Sequence, residues 1–149
     1  MLKVLVDYPS MEDEKEILSR VAKTNIDISQ KSVVNSKTIL EAQSLLNDIY
    51  IAPKILDYIL NIVFATRNPE KFKLGQLKDL ISFGASPRAS INLVLAAKAK
   101  AFIDGRGYVI PEDVRYIGKD VLRHRMLLSY EAEAEEVTSE ELILSLIHI

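Results

Sequence analysis

GASPRASINLVLAAKAKAF, residues 84–102, is the stretch that decides the fold of this chain. Ser86 is a favourable residue for the position before a helix, and Pro87 has its φ angle preset for the first helical position. The residues that follow are rich in alanine and contain no glycine, so the helix should continue to about residue 102. The sequence therefore predicts a long helix that places Arg88 in its first turn.

Arg88 is an unexpected residue at that place. Unpaired N–H groups and the macrodipole give the start of a helix positive character, and a cation there is disfavoured by about 0.3–1 kcal/mol. An anion in front of the helix reverses the effect, because helix N-termini bind phosphate and arginine adds forked donors. Two interpretations stay open on these grounds. Arg88 contacts a phosphate, or it is a surface arginine that is solvated or paired with Asp79 or another carboxylate.

Four segments, taken in chain order, carry a resemblance to a known family. Near the start, DYPS at residues 7–10, followed by acidic residues, resembles the junction between the ATPase core and the lid of MoxR-type AAA+ ATPases. Residues 84–89 and their helix resemble the sensor 2 segment of that family. GRGYVIPEDV at 105–114 is similar to its GR-x-YV-x-PEDV segment, and VLRHR at 121–125 is similar to its VL-x-HR ending. The resemblance implies the helical lid of such an ATPase.

The resemblance also implies a role for the start of the long helix. Arg88 would be the sensor 2 arginine, which reaches from the lid to the phosphates of bound ATP and couples the nucleotide state to the lid angle. Ser86 and Pro87 would lie beside it at the nucleotide. ATP and Mg²⁺ would be cofactors of the full-length protein, and we expect this chain alone to bind neither.

Tyr8, Pro9 and Ile17 fall where AAA+ proteins pack the adenine, in the crease between core and lid. The alternative is that Pro9 is a turn residue before a helix and that Ile17 is an ordinary core residue. The spacing of Ile17, Leu18 and Val21 on one helical face fits that alternative equally well.

Arg123, His124 and Arg125 form a basic cluster near the predicted C-terminal end of a helix. Within a ring of subunits they would be candidates for a subunit contact. The alternative is that the cations complement the helix macrodipole and that His124 packs at the edge of the bundle.

The machinery that cradles a nucleotide is not found in this sequence. The Gly-Lys pair at Gly118 and Lys119 would need glycine at position 113 and serine or threonine at 120 to form a P-loop, but these are Asp113 and Asp120. We therefore expect no catalytic residue in this chain and no ATP hydrolysis by it alone, although the full-length protein would be an ATPase. The resemblance places the partners of the chain in its own ATPase core and in neighbouring ring subunits, with an unknown protein client.

The composition excludes several classes of site. Charge is nearly balanced at −2, which argues against a nucleic-acid-binding protein. The sequence has no cysteine and only two histidines, so neither a thiolate site nor a histidine-rich metal site is expected. No signal peptide or membrane-spanning stretch is recognisable, and no membrane partner is expected. These features predict the cytoplasm as the compartment.

The hydrophobic patterning predicts an all-α fold, a bundle of about five to six helices behind a short N-terminal extended segment. We divide it into residues 1–9 (end of a core strand and linker), 10–130 (helical lid) and 131–149 (acidic connector and C-terminal helix). Residues 25–37 should be extended. Helix starts are predicted at Ser10, at a T-x-x-E capping box beginning at Thr38, at Pro53, at Pro111 and at a second capping box beginning at Thr138.

Three smaller features have structural interpretations. The adjacent carboxylates Glu112 and Asp113 point about 100° apart on a helix, so they fit a helix start better than an acid–base pair. Gly105 fits the left-handed turn that ends the long helix. The apolar tail, residues 142–149, either docks on the bundle or mediates dimers.

The function that this sequence supports best is the C-terminal lid of a MoxR-type AAA+ ATPase, which couples ATP hydrolysis to chaperone-like remodelling or ring assembly. Two alternatives stay open. The first is a helical protein–protein interaction module, and the second is the lid of a magnesium-chelatase-type AAA+ subunit.

Overall fold

The computed structural model describes residues 1–24 and 31–149. In these ranges the chain forms seven α-helices and two short strands, with two single 3₁₀ turns at Pro69–Phe72 and Gly75–Leu77. In chain order the elements are α1 (Met11–Val21), α2 (Ser36–Leu45), α3 (Pro53–Ala65), β1 (Ile81–Phe83), α4 (Pro87–Ile103), α5 (Pro111–Leu122), β2 (Leu127–Leu128), α6 (Tyr130–Ala134) and α7 (Ser139–Ile147). The predicted all-α class is confirmed.

Helices α3, α4, α5 and α7 form the core of the bundle. The largest fully buried side chains of α3 are Ile59, Ile62 and Val63. On α4 the buried positions are mostly alanines, and α4 packs most extensively against α5, because small side chains let two helices approach closely. Each large apolar side chain buried in this way contributes about 1.5–3 kcal/mol. The predicted starts of α3 and α5 at Pro53 and Pro111 are both found.

The N-terminal part contributes little to this core. Helix α1 starts after Ser10, whose hydroxyl accepts the N–H of Asp13 at 3.2 Å, and it has no buried residue. Helix α2 begins two residues before the predicted capping box, because the side chain of Asn35 accepts the N–H of Thr38 at 2.8 Å and caps the helix itself. The prediction of Thr38 as the N-cap was therefore wrong. Of the stretch 25–37, which was expected to be extended, residues 25–30 lie outside the described residues, and residues 36 and 37 already belong to α2.

A two-stranded antiparallel sheet and helix α6 were not predicted. Strand β1 pairs with β2 so that Ile81 lies opposite Leu128. Just after β2, Ser129 donates its hydroxyl to the carbonyl of Asp79 at 2.6 Å and accepts the N–H of Ala132 at 3.2 Å. This second bond caps α6, so the stretch expected to be an acidic connector begins with a short helix over the buried Ala132.

The C-terminal tail docks on the bundle. Thr138 and Glu141 form the predicted capping box, with Thr138 Oγ1 accepting the N–H of Glu141 at 3.3 Å. The apolar side chains of α7 at 142, 143, 146 and 147 are buried in the same core as α3 and α5, and Tyr58 donates its hydroxyl to the carbonyl of Ile147. None of the helices in the described ranges is long and apolar enough to cross a membrane. The predicted domain boundaries at 9 and 130 stay a prediction.

Candidate functional site

The start of α4 has the backbone that the sequence predicts but lacks a side-chain cap. Ser86 has extended backbone angles (φ −76°, ψ 168°) at the N-cap position, and Pro87 is the first helical residue. The hydroxyl of Ser86 makes no capping hydrogen bond, and the first turn contains no acidic side chain. The carbonyl of Ser86 accepts the N–H of Ala89 at 2.8 Å and closes the first turn. The positive end of this helix is therefore not neutralised by its own side chains.

Arg88 projects from this first turn into solvent. Its side chain is exposed, and none of the ion pairs formed within residues 1–24 and 31–149 includes it. Asp79, which was considered as a partner, forms no ion pair within these ranges either, and its carbonyl accepts the hydroxyl of Ser129. The pairing of Arg88 with Asp79 is thus not found. An exposed forked donor lies in the first turn of an uncapped helix, an arrangement that suits a phosphate.

The turn before α4 is held by the end of α3. Thr66 is 1% exposed; its hydroxyl donates to the carbonyl of Val63 at 2.6 Å and accepts the N–H of Ala85 at 2.8 Å. The next residue, Arg67, donates its Nε–H to the carbonyl of Ala85 at 2.6 Å. The N–H and the carbonyl of Ala85 are therefore each hydrogen-bonded to one of two consecutive residues at the end of α3.

Gly84 allows this close approach. A Cβ atom at this position would lie 2.6 Å from the carbonyl oxygen of Thr66 and 2.8 Å from Cγ of Arg67. Such distances are far shorter than van der Waals contact, so only glycine fits without a shift of the α3 end. The guanidinium of Arg67 also lies over the ring of Phe64, 5.1 Å from its centroid.

Sequence reasoning missed Thr66 and Arg67 as site residues. The hydrogen bonds that give them a role join positions 18 and 19 residues apart. No local spacing pattern predicts such a contact. The sequence offered one signal: the apolar helix α3 is followed by Thr66 and Arg67, and a glycine, Gly84, stands just before the long helix α4.

The residues expected at the adenine crease lie apart from the core of the bundle. The side chain of Tyr8 is 99% exposed and that of Ile17 is 47% exposed. Pro9 precedes the N-cap of α1 and is exposed as well. The alternative that Ile17 is a core residue of the bundle is therefore not met in the described structure, and the crease assignment stays a prediction.

Arg123 belongs to an ion-pair network within the chain. It pairs with Asp120 at 2.9 Å and with Glu140 on α7, and it donates to the carbonyl of Lys3. The hydrogen bond from Arg123 keeps the pKa of Glu140 below its ordinary value despite partial burial. Because Lys3 also donates its N–H to the carbonyl of Asp120 at 2.8 Å, this network attaches the N-terminal segment to α5.

His124 and Arg125 follow at the same corner, and Arg125 is half-buried. His124 is exposed; slight desolvation and the neighbouring positive charge of Arg125 lower its pKa. The guanidinium of Arg125 donates from Nη2 to the carbonyl of Met1 at 3.5 Å. Arg123 is thus occupied inside the chain, and a subunit contact through this cluster stays a prediction that falls mainly on His124 and Arg125.

The ion pair of Arg106 with the buried Asp113 fixes the C-terminal end of α4. Arg106 donates from both terminal nitrogens to Asp113, at 2.8 and 2.5 Å, and Asp113 also accepts the N–H of Ile110 at 2.9 Å. Asp113 thereby starts α5, as its position after Pro111 predicts. Gly105 has φ +71° and makes the left-handed turn that ends α4. Among the described residues there is no group of three acidic, cysteine or histidine side chains that could hold a metal ion.

Comparison with known proteins identifies the class first. Residues 77–146, which include β1, α4, α5 and most of α7, match the family of AAA lid domains. The bundle around α4 is thus an AAA lid domain. The fold also matches a crystal structure of a proposed ATPase from Cytophaga hutchinsonii, with a TM-score of 0.93 and 37% identity. That match covers 99% of this chain and 45% of that one, so it includes α1 and α2.

Curated relatives then identify the family. The chain is 39% identical to Chaperone MoxR1 of Mycobacterium tuberculosis over 96% of this chain and 37% of that protein. It is 32% identical to the YeaC protein of Bacillus subtilis over 96% of this chain and 42% of that protein. Protein MoxR of Paracoccus denitrificans is 37% identical over 58% of this chain. The chain belongs to the MoxR family of AAA+ proteins, and it spans less than half the length of the first two relatives.

Proposed function

We propose that this chain works as the lid of a MoxR-type AAA+ ATPase and that Arg88 senses the phosphates of the bound nucleotide. The observation that supports the proposal is the start of α4. An exposed arginine, which forms no ion pair within the described ranges, lies at a helix N-terminus that has neither a side-chain cap nor an acidic residue in its first turn. Both features favour an external anion over a partner inside the chain.

The chemistry of Arg88 fits a phosphate. Its planar guanidinium can donate two parallel hydrogen bonds to phosphate oxygens, and a hydrogen bond to a charged group contributes about 1.5–3 kcal/mol. Ser86 adds a hydroxyl that makes no capping bond. ATP and Mg²⁺ would be bound mainly by an ATPase core, with Arg88 and Ser86 contributing from the lid side. One arginine and one helix end supply too few contacts to hold the nucleotide alone.

The packing of α4 suggests how a signal would leave this site. Its buried positions lie against α3 and α5. The two hydrogen bonds of Ala85 with Thr66 and Arg67, which we call the clamp, tie the start of α4 to the end of α3. A displacement of Arg88 therefore moves the bundle as one body rather than α4 alone. In the proposed mechanism the bundle passes this movement to a neighbouring ring subunit, and ATP hydrolysis is thereby coupled to remodelling of a client protein.

The N-terminal segment supports an ATPase core as the partner. Tyr8, Pro9 and Ile17 are exposed and free to contact another domain, and the crease that packs the adenine is the proposed place for them. The client is not identified by any residue of this chain, nor is a nucleic acid or a membrane among the proposed partners. The cytoplasm is the proposed compartment.

The experiment joins the part of Chaperone MoxR1 that precedes its matched segment to this chain, and compares wild type with Arg88→Ala. We expect the substitution to lower kcat/KM for ATP about 10- to 100-fold, because two hydrogen bonds to a developing charge are lost. Arg115→Ala is the matched control, since Arg115 is an exposed helical arginine that pairs with Glu112. Equal kinetics for wild type and Arg88→Ala would refute the sensor role.

A second candidate function, a helical protein-interaction module, is favoured by one feature. Helices α3 and α4 border an apolar groove of about 370 Å³, and its rim includes the exposed side chains of Leu56, Leu60, Ile91 and Leu95. Exposed apolar grooves often bind a partner helix. This function needs no arginine at position 88. Wild-type kinetics of Arg88→Ala in the ATPase assay would therefore favour the interaction module over the sensor role.

A further inference from the structure

We infer that Thr66 and Arg67, the two residues that follow α3, are positioning residues that aim Arg88. The functional part of this inference rests on the proposed sensor role of Arg88, whereas its structural part does not. Neither residue contacts the nucleotide in this proposal. They act through Ala85, which lies three positions before Arg88 in the chain.

The Thr66 hydroxyl has a fixed direction. Its single proton is donated to the carbonyl of Val63, so an oxygen lone pair faces the N–H of Ala85. The group is buried, and both bonds are short, at 2.6 and 2.8 Å. A buried N–H without an acceptor is strongly unfavourable, so this turn has a strong preference for the observed arrangement.

Arg67 holds the opposite side of the same residue. Its Nε–H donates to the carbonyl of Ala85, while its guanidinium stacks on Phe64 of α3. Two consecutive residues thus bind the donor and the acceptor of one residue, which leaves the turn little freedom to rotate. Gly84 lies so near the end of α3 that a Cβ atom there would be 2.6 Å from the Thr66 carbonyl oxygen, so little space is left for the turn to shift.

Only two residues separate this clamp from Arg88. Pro87 has its φ angle fixed by its ring, and the bond from the Ala89 N–H to the Ser86 carbonyl closes the turn. The direction of the first turn of α4, and with it the origin of the Arg88 side chain, is therefore set by the end of α3. Misplacement by about 1 Å at a reacting centre can reduce a rate about 100-fold, so the clamp has a measurable consequence.

The test uses the ATPase chimera described above with Thr66→Val and Thr66→Ser. Valine removes the hydroxyl at nearly constant volume, whereas serine keeps the acceptor for Ala85. We expect Thr66→Val to lower kcat/KM for ATP about tenfold and Thr66→Ser to stay within about twofold of wild type. Ile143→Val serves as a control for stability, because it trims a buried side chain of α7 that makes none of the hydrogen bonds of the turn, and it should leave the kinetics unchanged.

The double variant Thr66→Val with Arg88→Ala separates positioning from simple destabilisation. If Thr66 acts through Arg88, the double variant has the same kcat/KM as Arg88→Ala alone. If Thr66→Val lowers the rate by the same factor in both backgrounds, or has no effect while Arg88→Ala does, the positioning role is refuted and the sensor role stands.

Amide hydrogen exchange of this chain tests the clamp independently of ATP hydrolysis. The Ala85 N–H should exchange slowly in wild type and Thr66→Ser, and at least tenfold faster in Thr66→Val. If Arg88→Ala leaves the ATPase unchanged, the sensor role fails, and this exchange result alone decides whether Thr66 positions the turn. Equal exchange of the Ala85 N–H in all three proteins would overturn the inference.

Discussion

Replacing Asp113 by asparagine removes the charge of the most buried acidic side chain described here while keeping its shape. Asp113 is 2% exposed and accepts three hydrogen bonds, two from Arg106 and one from the N–H of Ile110. An asparagine has one acceptor oxygen, so its NH₂ group must face a donor. At neutral pH the variant therefore loses a charge-assisted pair and leaves donors unsatisfied at the junction of α4 and α5.

The expected loss for Asp113→Asn follows from these contacts. Breaking a buried ion pair by removing one partner is destabilising by about 3–5 kcal/mol, and the solvent contact of Arg106 reduces this to about 2–4 kcal/mol. For a chain of this size, about 3 kcal/mol corresponds to a decrease in Tm of roughly 10 °C. Burial opposes ionisation of Asp113, but the hydrogen bonds from Arg106 and Ile110 outweigh it, and the pKa of the carboxyl lies below its ordinary value of 3.8.

The sign of the pH dependence is set by this lowered pKa. The carboxylate contributes its full stabilisation above pH about 4, and the contribution is lost as the pH falls through the lowered pKa of the folded state. The difference in the free energy of unfolding between wild type and Asp113→Asn should therefore be largest at pH 7 and should narrow toward pH 3. Urea unfolding at several pH values measures it, provided that the m-values agree.

Asp104→Asn is the matched control for this experiment. Asp104 binds the same Arg106 at 2.9 Å and also Lys100, but a third of its side chain is exposed, so we expect a much smaller loss of stability. Our reasoning about the buried pair is refuted if Asp113→Asn unfolds within about 0.5 kcal/mol of wild type at pH 7, the range of ordinary surface substitutions. A constant difference between pH 7 and pH 3 would refute the assignment of the effect to the charge.

Two further substitutions test close contacts elsewhere. Gly84→Ala should destabilise the chain by about 1–3 kcal/mol, because its methyl group would overlap the carbonyl at the end of α3. Gly107→Ala, where an added Cβ meets nothing within 4 Å, should change stability by less than about 0.5 kcal/mol in the same thermal unfolding assay. Arg123→Met should release the N-terminal segment, so that the Lys3 N–H exchanges faster with solvent, whereas Arg115→Met should leave that exchange unchanged. Unchanged exchange in Arg123→Met would contradict the proposed attachment.

Signals that act within one turn of helix predicted most of the fold. Pro53, Pro87 and Pro111 each begin a helix where the preset φ angle favours it, and Thr138 caps α7 through Glu141. The error at α2 has the same local origin. Two capping residues three positions apart compete, and the sequence alone does not rank Asn35 above Thr38.

Contacts between distant positions account for what the sequence could not predict. The antiparallel sheet joins residues more than 40 positions apart, and its strands are too short to show a period of two. Arg123 was grouped with His124 and Arg125 as a candidate for a subunit contact, yet it pairs with Glu140 on α7, 17 positions further along the chain. Arg88 was singled out from the sequence because a cation in the first turn of a helix is unfavourable. Thr66 has no such unfavourable feature in the sequence, and its role becomes visible only through its hydrogen bond with Ala85.

The unfavourable start of α4 is tolerated because the helix is fixed at both ends by other means. A missing cap and a cation in the first turn are together unfavourable by about 1–2 kcal/mol. The buried Leu93 alone contributes about as much as that, and the bonds of Ala85 and the pair of Arg106 with Asp113 hold the two ends. A capping carboxylate would stabilise α4 further, but it would also satisfy the positive end that Arg88 extends toward solvent. Under the proposed sensor role, the uncapped start of α4 leaves its positive end open to an external phosphate, because no carboxylate of its first turn occupies it and contacts from α3 hold the turn in place.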